Sequence, residues 1–521
     1  MTTVVQPAPD MEAAAQDEPR SLKLPVAAAV LVSAVLSLVT IGRGSFSLDE
    51  SVSATLARAS WHSFTHTILR REANMSFYYL LLRFWTELGH SEAVVRSFSV
   101  VASIGAVAAI MVVARQLFDR RTAIIAGVIL AIDPLIVVFA QDARGYALSL
   151  LLVTASSALF ARAVTAGAGW GTWVAYGLVS VLATYTNFWV ALVLVGHGAS
   201  VAFLPPGTAP WRRLVPTAVG LGVLLVPLAL LIRTAYEGGV NWAAGSSAGK
   251  LFTKVRADVP HPVLDIVIVL VVVLVAAAVA VVRRHPRTTI VVDRWPVMFA
   301  LCWLVVPVAI VVLLSLAYEP VLVLRYLGIC FPPFVILVAF AVSRLKVEVT
   351  RLAVAALVVV SGLGLAAWYA RGAPEDFRGA VASVAARARP GDGLVVFAPY
   401  NRVPVEWYMH DHPVAERRLR PLFPGGPWDT DALRYDTSIP VTETAVHRAV
   451  DGYRRVWLVL SAETLYPKQD GDLLAGLRAA GLVPVGIRSF PGVQVAEYSA
   501  AGGGGSGSGG AVPVGSVRTT G

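Results

Sequence analysis

Charged side chains stand beside long apolar runs at three places that are far apart in the sequence. Two acids follow the first run, an acid and an arginine follow the third, and an arginine opens the tenth; in chain order they are Asp49, Glu50, Asp142, Arg144 and Arg325. Charges near a bilayer are costly unless they are paired, solvated or functional. Acids and arginines that converge from distant segments fit a site for an anionic group, and the arginine fork suits phosphate.

Each of these groups also has a purely structural interpretation. Asp49 and Glu50 could be solvated acids in a loop, and Asp142 with Arg144 could be an interfacial ion pair. Arg325 could be an anchor whose aliphatic stem lies in the membrane while its head reaches water. Residue types and spacing alone leave both interpretations open.

Two histidines in the first loop raise the question of a metal site. His62 and His66 stand at i and i+4 and could share one face of a helix, a spacing that suits zinc. There is no HExxH motif nearby, and two histidines make an incomplete site. Packing or contact with an acceptor is the preferred interpretation, so the predicted site contains no metal.

The composition is too apolar for an ordinary soluble protein. Hydrophobic residues make up 56% of the 521 residues and charged residues 15%, against about 45–50% and about 25% in soluble domains. The net charge of +10 is explained by positive cytoplasmic loops. No run of Lys and Arg with interleaved aromatic residues indicates nucleic-acid binding. The sequence therefore predicts a multi-pass protein of the cell membrane.

The apolar runs predict about eleven membrane spans. They lie at about 25–42, 95–115, 122–139, 147–165, 171–186, 188–205, 214–233, 263–283, 295–317, 326–343 and 351–370. Basic residues gather in short links on one side, which marks those links as cytoplasmic. The N-terminus is then cytoplasmic, and an odd number of spans places the C-terminal part outside.

The predicted fold is mainly α, a polytopic helical bundle with a small extracytoplasmic α/β domain. Residues 1–24 form a disordered cytoplasmic tail and 25–370 the membrane domain, whose first outer loop spans 43–94. Within that loop, 75–89 is apolar but too short to span, which favours a helix in the membrane interface. Strands and helices alternate over 371–500, which indicates an α/β domain, and 501–521 is a flexible tail.

Four motifs resemble those of the GT-C membrane glycosyltransferases. They are SFSLDE at 45–50, SEAVVRSFS at 91–99, DPLIVVFAQDARGYAL at 133–148 and LRYL at 324–327. The motifs occur in the same order and in the same topological places as in the family, over roughly residues 25–345. The chain is most similar to the branch related to protein O-mannosyltransferases and lipid A aminoarabinose transferases.

This resemblance implies an enzyme that uses a polyprenyl-phosphate-linked sugar, hexose or pentose, and a hydroxyl acceptor on the outer face. The acceptor could be protein, lipid or cell-wall glycan. By the motif, Asp49 in the acidic pair with Glu50 is the general base, and Arg144 and Arg325 stabilise the phosphate leaving group. Further substrate-binding residues are predicted at Asp142, Tyr146, Tyr326, Arg71 and His66. Such a single displacement inverts the anomeric centre and needs no cofactor, and the sequence shows no site for the divalent metal known in the superfamily.

Other classes of membrane protein compete with this interpretation. A lipid or sugar transporter predicts internal repeats, interrupted helices and charges near mid-bilayer, and the sequence has no repeats and few such charges. A polyprenyl-linked glycan polymerase or ligase tends to place its large outer loop late among the spans. A non-enzymatic assembly or sensor protein is a third alternative.

Overall fold

The computed structural model describes residues 21–70, 72–165, 167–235, 294–317, 324–428, 439–461 and 467–500. The described residues divide into two compact units. The first unit runs to Gly44 and from Val52 to Gly372, and the second comprises Ser45–Ser51 and the described residues from Ala373 onward. The short segment Ser45–Ser51, which carries Asp49 and Glu50, therefore belongs with the C-terminal residues.

Up to Gly372 the described chain is built from α-helices joined by short links. In chain order they are α1 (Lys23–Leu38), α2 (Leu48–Arg58), α3 (Trp61–Arg70), α4 (Ser76–Trp85), α5 (Glu92–Leu117), α6 (Arg120–Ile132), α7 (Pro134–Ala140), α8 (Tyr146–Thr165), α9 (Trp170–Thr186), α10 (Val190–Ser200), α11 (Trp211–Ala235), α12 (Arg294–Ala317), α13 (Phe331–Ser343) and α14 (Val347–Arg371). A 3₁₀ helix, Leu324–Cys330, leads directly into α13.

Six helices in the described part of the chain are long and apolar enough to cross a membrane, so this is a membrane protein. They are Glu92–Leu117, Tyr146–Thr165, Trp211–Ile232, Arg294–Leu316, Tyr326–Ser343 and Val347–Arg371. Helices α6 and α7 form a seventh candidate that is bent by 58°, where Pro134 begins α7 and cannot continue the preceding helix. The predicted run at 263–283 lies outside the described residues, and the count of eleven stays a prediction.

The helices of the first unit pack closely through small residues. Gly196 on α10 lies against the backbone of α12, where an added Cβ would come within 2.7 Å of the Cys302 carbonyl oxygen. Beside it, the buried His197 ring pairs with the hydroxyls of Ser157 and Tyr176 at 3.0 and 3.2 Å. Such close contacts and satisfied polar groups stabilise helix packing in lipid, where the solvent offers no hydrophobic driving force.

The second unit is a small α/β domain around a five-stranded sheet of order β2-β1-β3-β5-β4. Strands β1, β2 and β3 are parallel, and β5 pairs antiparallel with both β3 and β4. The strands are β1 (Asp392–Phe397), β2 (Leu419–Phe423), β3 (Arg455–Ser461), β4 (Leu482–Phe490) and β5 (Val493–Ala500). The helices are α15 (Phe377–Ala385), α16 (Arg402–Met409), α17 (Pro413–Arg418), α18 (Glu443–Val450) and α19 (Pro467–Ala479).

Candidate active site

The acidic pair of the first loop lies in the first turn of α2, and a reciprocal capping box fixes that turn. The Glu50 backbone N–H donates to Ser47 Oγ at 3.3 Å, and the Ser47 N–H donates to Glu50 Oε2 at 3.0 Å. This pairing satisfies two helix N–H donors that would otherwise lack partners. The buried Glu50 carboxylate therefore has a structural function, and Asp49 lies beside it, half-buried, at the positive end of the helix dipole.

The segment Ser45–Ser51 is held by the C-terminal α/β domain. The Phe46 backbone N–H donates to the Tyr408 hydroxyl at 2.6 Å. The Phe46 ring is fully buried and meets the Trp407 ring edge-on, with 5.6 Å between ring centroids. Both aromatic partners lie on α16, so one helix of the domain fixes the chain just before the acidic pair.

A group of polar side chains in the first unit surrounds Arg144. Arg144 lies in the turn between α7 and α8 and is 9% exposed. Its Nη1 donates to the Tyr79 hydroxyl at 3.0 Å, and that hydroxyl donates to Glu72 Oε2 at 3.2 Å. We refer to Glu72, Tyr79 and Arg144 as the Arg144 cluster. It joins a cation and an anion through one buried phenol, so the guanidinium is held in a defined position.

The backbone around the Arg144 cluster is tightly packed. At Gly145 an added Cβ would lie 3.2 Å from Met75 Cγ and 3.3 Å from the Thr186 carbonyl oxygen. The residue after Arg144 is therefore one where only glycine fits without displacing its neighbours. Asn74 Oδ1 accepts the Phe188 N–H at 3.3 Å, which fixes the start of α4 against the link between α9 and α10.

Aromatic rings bring the segment that carries Arg325 to the same place. The Tyr326 ring lies 6.4 Å, between centroids, from the Tyr146 ring and also 6.4 Å from the Trp189 ring. Tyr146 is two residues beyond Arg144, so the segments of both predicted arginines lie side by side. The backbone of Arg325 is part of the 3₁₀ helix, and its side chain lies outside the described part.

The remaining predicted residues lie in different surroundings. The Asp142 carbonyl accepts the Arg144 N–H at 2.8 Å within their shared turn. His66 lies on the exposed face of α3, its ring 6.4 Å from that of His62. Among the described residues no group of three or more His, Cys, Asp or Glu side chains is arranged to hold a metal ion. Arg71 lies outside the described residues.

Two polar side chains fix the end of α1 and the chain that follows it. Gln141 Nε2 donates to the Ser37 carbonyl at 3.0 Å. Arg96 Nη1 donates to the carbonyls of Ile41 and Gly44 at 2.9 and 3.0 Å. Both residues belong to motifs that resemble the GT-C family. In this structure they hold the backbone that leads from α1 to Gly44, just before the acidic segment.

Three residues that contact the predicted side chains or their segments are absent from the sequence-based set: Glu72 and Tyr79 in the first unit and Glu375 in the second. Glu375 Oε2 accepts the Leu48 N–H, the first of α2, at 2.9 Å. One signal was available, because Glu375 and Asp376 form an acidic pair just beyond the last apolar run, as Asp49 and Glu50 do beyond the first. Glu72 lies before α4 and Tyr79 within it, so helical spacing does not predict their contact.

Residues 75–232 match the profile of the family described as dolichyl-phosphate-mannose-protein mannosyltransferase. This stretch begins at Met75 and contains both Tyr79 and Arg144. A sequence search of curated proteins finds no match.

Two solved structures share the fold over most of this chain. ArnT from Cupriavidus metallidurans, bound to undecaprenyl phosphate, is 16% identical, with a TM-score of 0.59 over 91% of this chain and 97% of its own. The archaeal oligosaccharyltransferase AglB from Archaeoglobus fulgidus, in complex with an inhibitory peptide and a dolichol-phosphate, is 13% identical, with a TM-score of 0.53 over 90% of this chain and 74% of its own. The chain has the fold of the GT-C membrane glycosyltransferases. The resemblance that the four GT-C motifs indicate is thereby confirmed.

Proposed function

We propose that this GT-C protein transfers a sugar from a polyprenyl-phosphate donor to a hydroxyl acceptor on the extracytoplasmic face. The structures of ArnT with undecaprenyl phosphate and of AglB with dolichol-phosphate support a lipid-phosphate carrier. AglB binds an inhibitory peptide together with its dolichol-phosphate, which supports a second binding place beside the carrier. The proposal does not specify which sugar is transferred or to which chemical class the acceptor belongs.

The observation that carries this proposal is the fixed position of Arg144. A buried guanidinium is retained where it is paired or binds an anion, because its desolvation is otherwise too costly. Tyr79 and Glu72 hold it, and Tyr146 and Tyr326 bring the segment of a second arginine beside it. Two arginines on neighbouring segments would match a phosphate leaving group, whose negative charge grows as the sugar departs.

The proposed reaction is a single displacement at the anomeric carbon. The acceptor oxygen forms a bond to that carbon while the bond from carbon to phosphate oxygen breaks, and polyprenyl phosphate leaves. Asp49 takes the acceptor proton as general base, and Arg144 and Arg325 stabilise the departing phosphate. The anomeric configuration is inverted, since only one displacement takes place.

The other predicted residues take supporting functions in this scheme. Glu50 holds the first turn of α2 through the capping box, and Asp142 shapes the turn that presents Arg144. Tyr146 and Tyr326 position the arginine segments, and His66 and Arg71 remain candidates for contact with the acceptor. The described donor set does not form a metal site, so we assign no step to a metal.

Incubation with a panel of donors tests the proposed function. Purified protein in lipid nanodiscs receives polyprenyl-phosphate mannose, arabinose or another sugar, together with hydroxyl-bearing peptides, lipids or glycans. We expect saturable release of polyprenyl phosphate with one donor, dependent on an acceptor. Absence of release with every donor would remove the proposed activity, and release accompanied by chain extension of the lipid-linked glycan would favour a polymerase.

The contacts of Ser45–Ser51 also support the proposed topology. This segment follows α1 directly and is hydrogen-bonded to residues of the C-terminal domain. Two parts of a chain that share hydrogen bonds lie on the same side of a membrane. If α1 enters from the cytoplasm, the C-terminal domain lies outside, as the odd number of predicted spans requires.

We expect introduced cysteines to report this topology. Thr444→Cys, exposed on α18, should react with membrane-impermeant thiol reagents in intact cells. Arg212→Cys, exposed at the start of α11, should react only with permeant reagents. The two natural cysteines are buried and give little background. Labelling of Thr444→Cys by permeant reagents alone would place the domain in the cytoplasm and contradict the outer-face site.

A further inference from the structure

We infer that Glu375, in the C-terminal domain, is a positioning residue for the acidic pair, and that its negative charge sets the pH range in which that pair works. The inference rests on the proposed function, because it assigns Asp49 as the base. Glu375 holds the first turn of α2, and that turn carries Asp49. The C-terminal domain thereby contributes to catalysis by positioning the base.

The first observation is a hydrogen bond at the start of α2. Leu48, the first residue of the helix, donates its backbone N–H to Glu375 Oε2 at 2.9 Å, across 327 residues of sequence. The first N–H groups of a helix have no partner within it. Ser47 and Glu50 satisfy two donors by the capping box, and Glu375 satisfies another from outside. Asp49 lies between the residues held in these two ways.

The second observation concerns the residues that surround Glu375. The side chain of Ser461, the last residue of β3, lowers the pKa of the Glu375 carboxyl group. Nearby, the Arg378 backbone N–H donates to Ser45 Oγ at 3.3 Å. The carboxyl ends of parallel strands are where α/β folds place ligands and functional groups. In this domain the carboxyl end of β3 supports the carboxylate that holds α2.

The third observation is electrostatic. Burial, together with the neighbouring carboxylates of Asp49 and Glu50, raises the pKa of Glu375 above its usual value, against hydrogen bonds from Leu48 and Ser461 that lower it. Among the described residues, the carboxylates of Asp49 and Glu50 are the charged groups that shift this pKa. Because the repulsion between Asp49 and Glu375 is mutual, removing the negative charge of Glu375 should favour the charged, proton-accepting form of Asp49.

Glu375→Gln separates positioning from charge. The amide oxygen can still accept the Leu48 N–H, so we expect the KM values for donor and acceptor to stay within about twofold. The acid limb of the pH profile of kcat should move to lower pH. Glu443→Gln is the matched control, since Glu443 is an exposed acid in the first turn of another helix of the same domain. A pH profile of kcat that is unchanged in Glu375→Gln would overturn the inference that the charge of Glu375 sets the working pH range.

Glu375→Ala removes both the acceptor and the charge. We expect kcat to fall by about 10- to 100-fold, because a misplaced catalytic group is costly even at small displacement. Amide hydrogen exchange at Leu48 should become faster in Glu375→Ala and stay close to wild type in Glu375→Gln. Wild-type kcat and Leu48 exchange in Glu375→Ala would overturn the positioning function. Failure of wild-type protein to release polyprenyl phosphate in the donor panel would instead refute the proposed function.

Discussion

Asp49→Asn should lower turnover by about 10²–10⁴-fold, the usual contribution of a positioned general base. Asparagine keeps the shape of the side chain and its place in the first turn of α2 but cannot take the acceptor proton. Donor binding should persist, because the residues assigned to the phosphate are unchanged. The measurement is kcat for polyprenyl phosphate release, with a parallel titration of donor binding.

Glu50→Gln is the matched control for Asp49→Asn, because the two acids are adjacent on the same helical turn. In that variant the glutamine amide oxygen could still accept the Ser47 N–H that Glu50 Oε2 accepts at 3.0 Å. We therefore expect a much smaller loss of turnover than in Asp49→Asn. An inactive Glu50→Gln with a nearly normal Asp49→Asn would transfer the base function to Glu50. Two active variants would contradict catalysis by this helix.

Arg144→Ala should lower kcat/KM for the donor by about 10²–10³-fold, the usual effect of removing one donor to a developing anion. Arg144→Lys should recover only part of that loss, since an ammonium group cannot make the two parallel hydrogen bonds that a guanidinium makes to phosphate. The KM for the acceptor should change little. Steady-state kinetics with donor and acceptor varied separately measure both effects, and we expect Arg325→Ala to give the same pattern.

Two further variants guard against a purely structural explanation of the Arg144 result. Arg162→Ala changes an exposed arginine at the other end of α8 and should leave the kinetics unchanged. Tyr79→Phe removes the hydroxyl that Arg144 contacts at 3.0 Å but keeps the ring in its buried place. It should cause a partial loss in donor use. An Arg144→Ala protein that folds normally and uses the donor as wild type does would remove Arg144 from the leaving-group site.

Most of the membrane helices could be predicted from the sequence because helix formation in lipid depends on the local run of apolar residues. In lipid, an α-helix pairs the backbone N–H and C=O groups of a single chain segment with one another. Each long apolar run therefore predicts a helix. Every predicted run except 263–283, which lies outside the described residues, coincides with described helices. In the C-terminal domain β1, β3, β4 and β5 each contain an apolar run that is typical of a strand. In β2, Arg420 and Pro421 interrupt the apolar pattern, so that strand is not predictable in this way.

The site was predictable only where a residue type is unusual for its surroundings. Arg144 stands out as a charge beside an apolar run, whereas Tyr79 is one aromatic residue among many in an apolar helix. Glu375 stands out only as one of an acidic pair beyond the last apolar run, and its contact with Leu48, 327 positions away, leaves no trace in a local pattern. The structural function of Glu50 required the geometry of the capping box, although the Ser-x-x-Glu spacing at 47–50 was visible in the sequence.

The fate of the carrier lipid in proteoliposomes tests the central claim most directly. Wild-type protein and Asp49→Asn receive the donor that is active in the panel, with its acceptor, and mass spectrometry quantifies intact donor, polyprenyl phosphate and glycosylated acceptor. The account predicts that wild type forms polyprenyl phosphate and glycosylated acceptor in equal amounts and that Asp49→Asn leaves the donor intact. Intact donor that wild-type protein moves across the bilayer without cleavage would contradict it and identify a transporter.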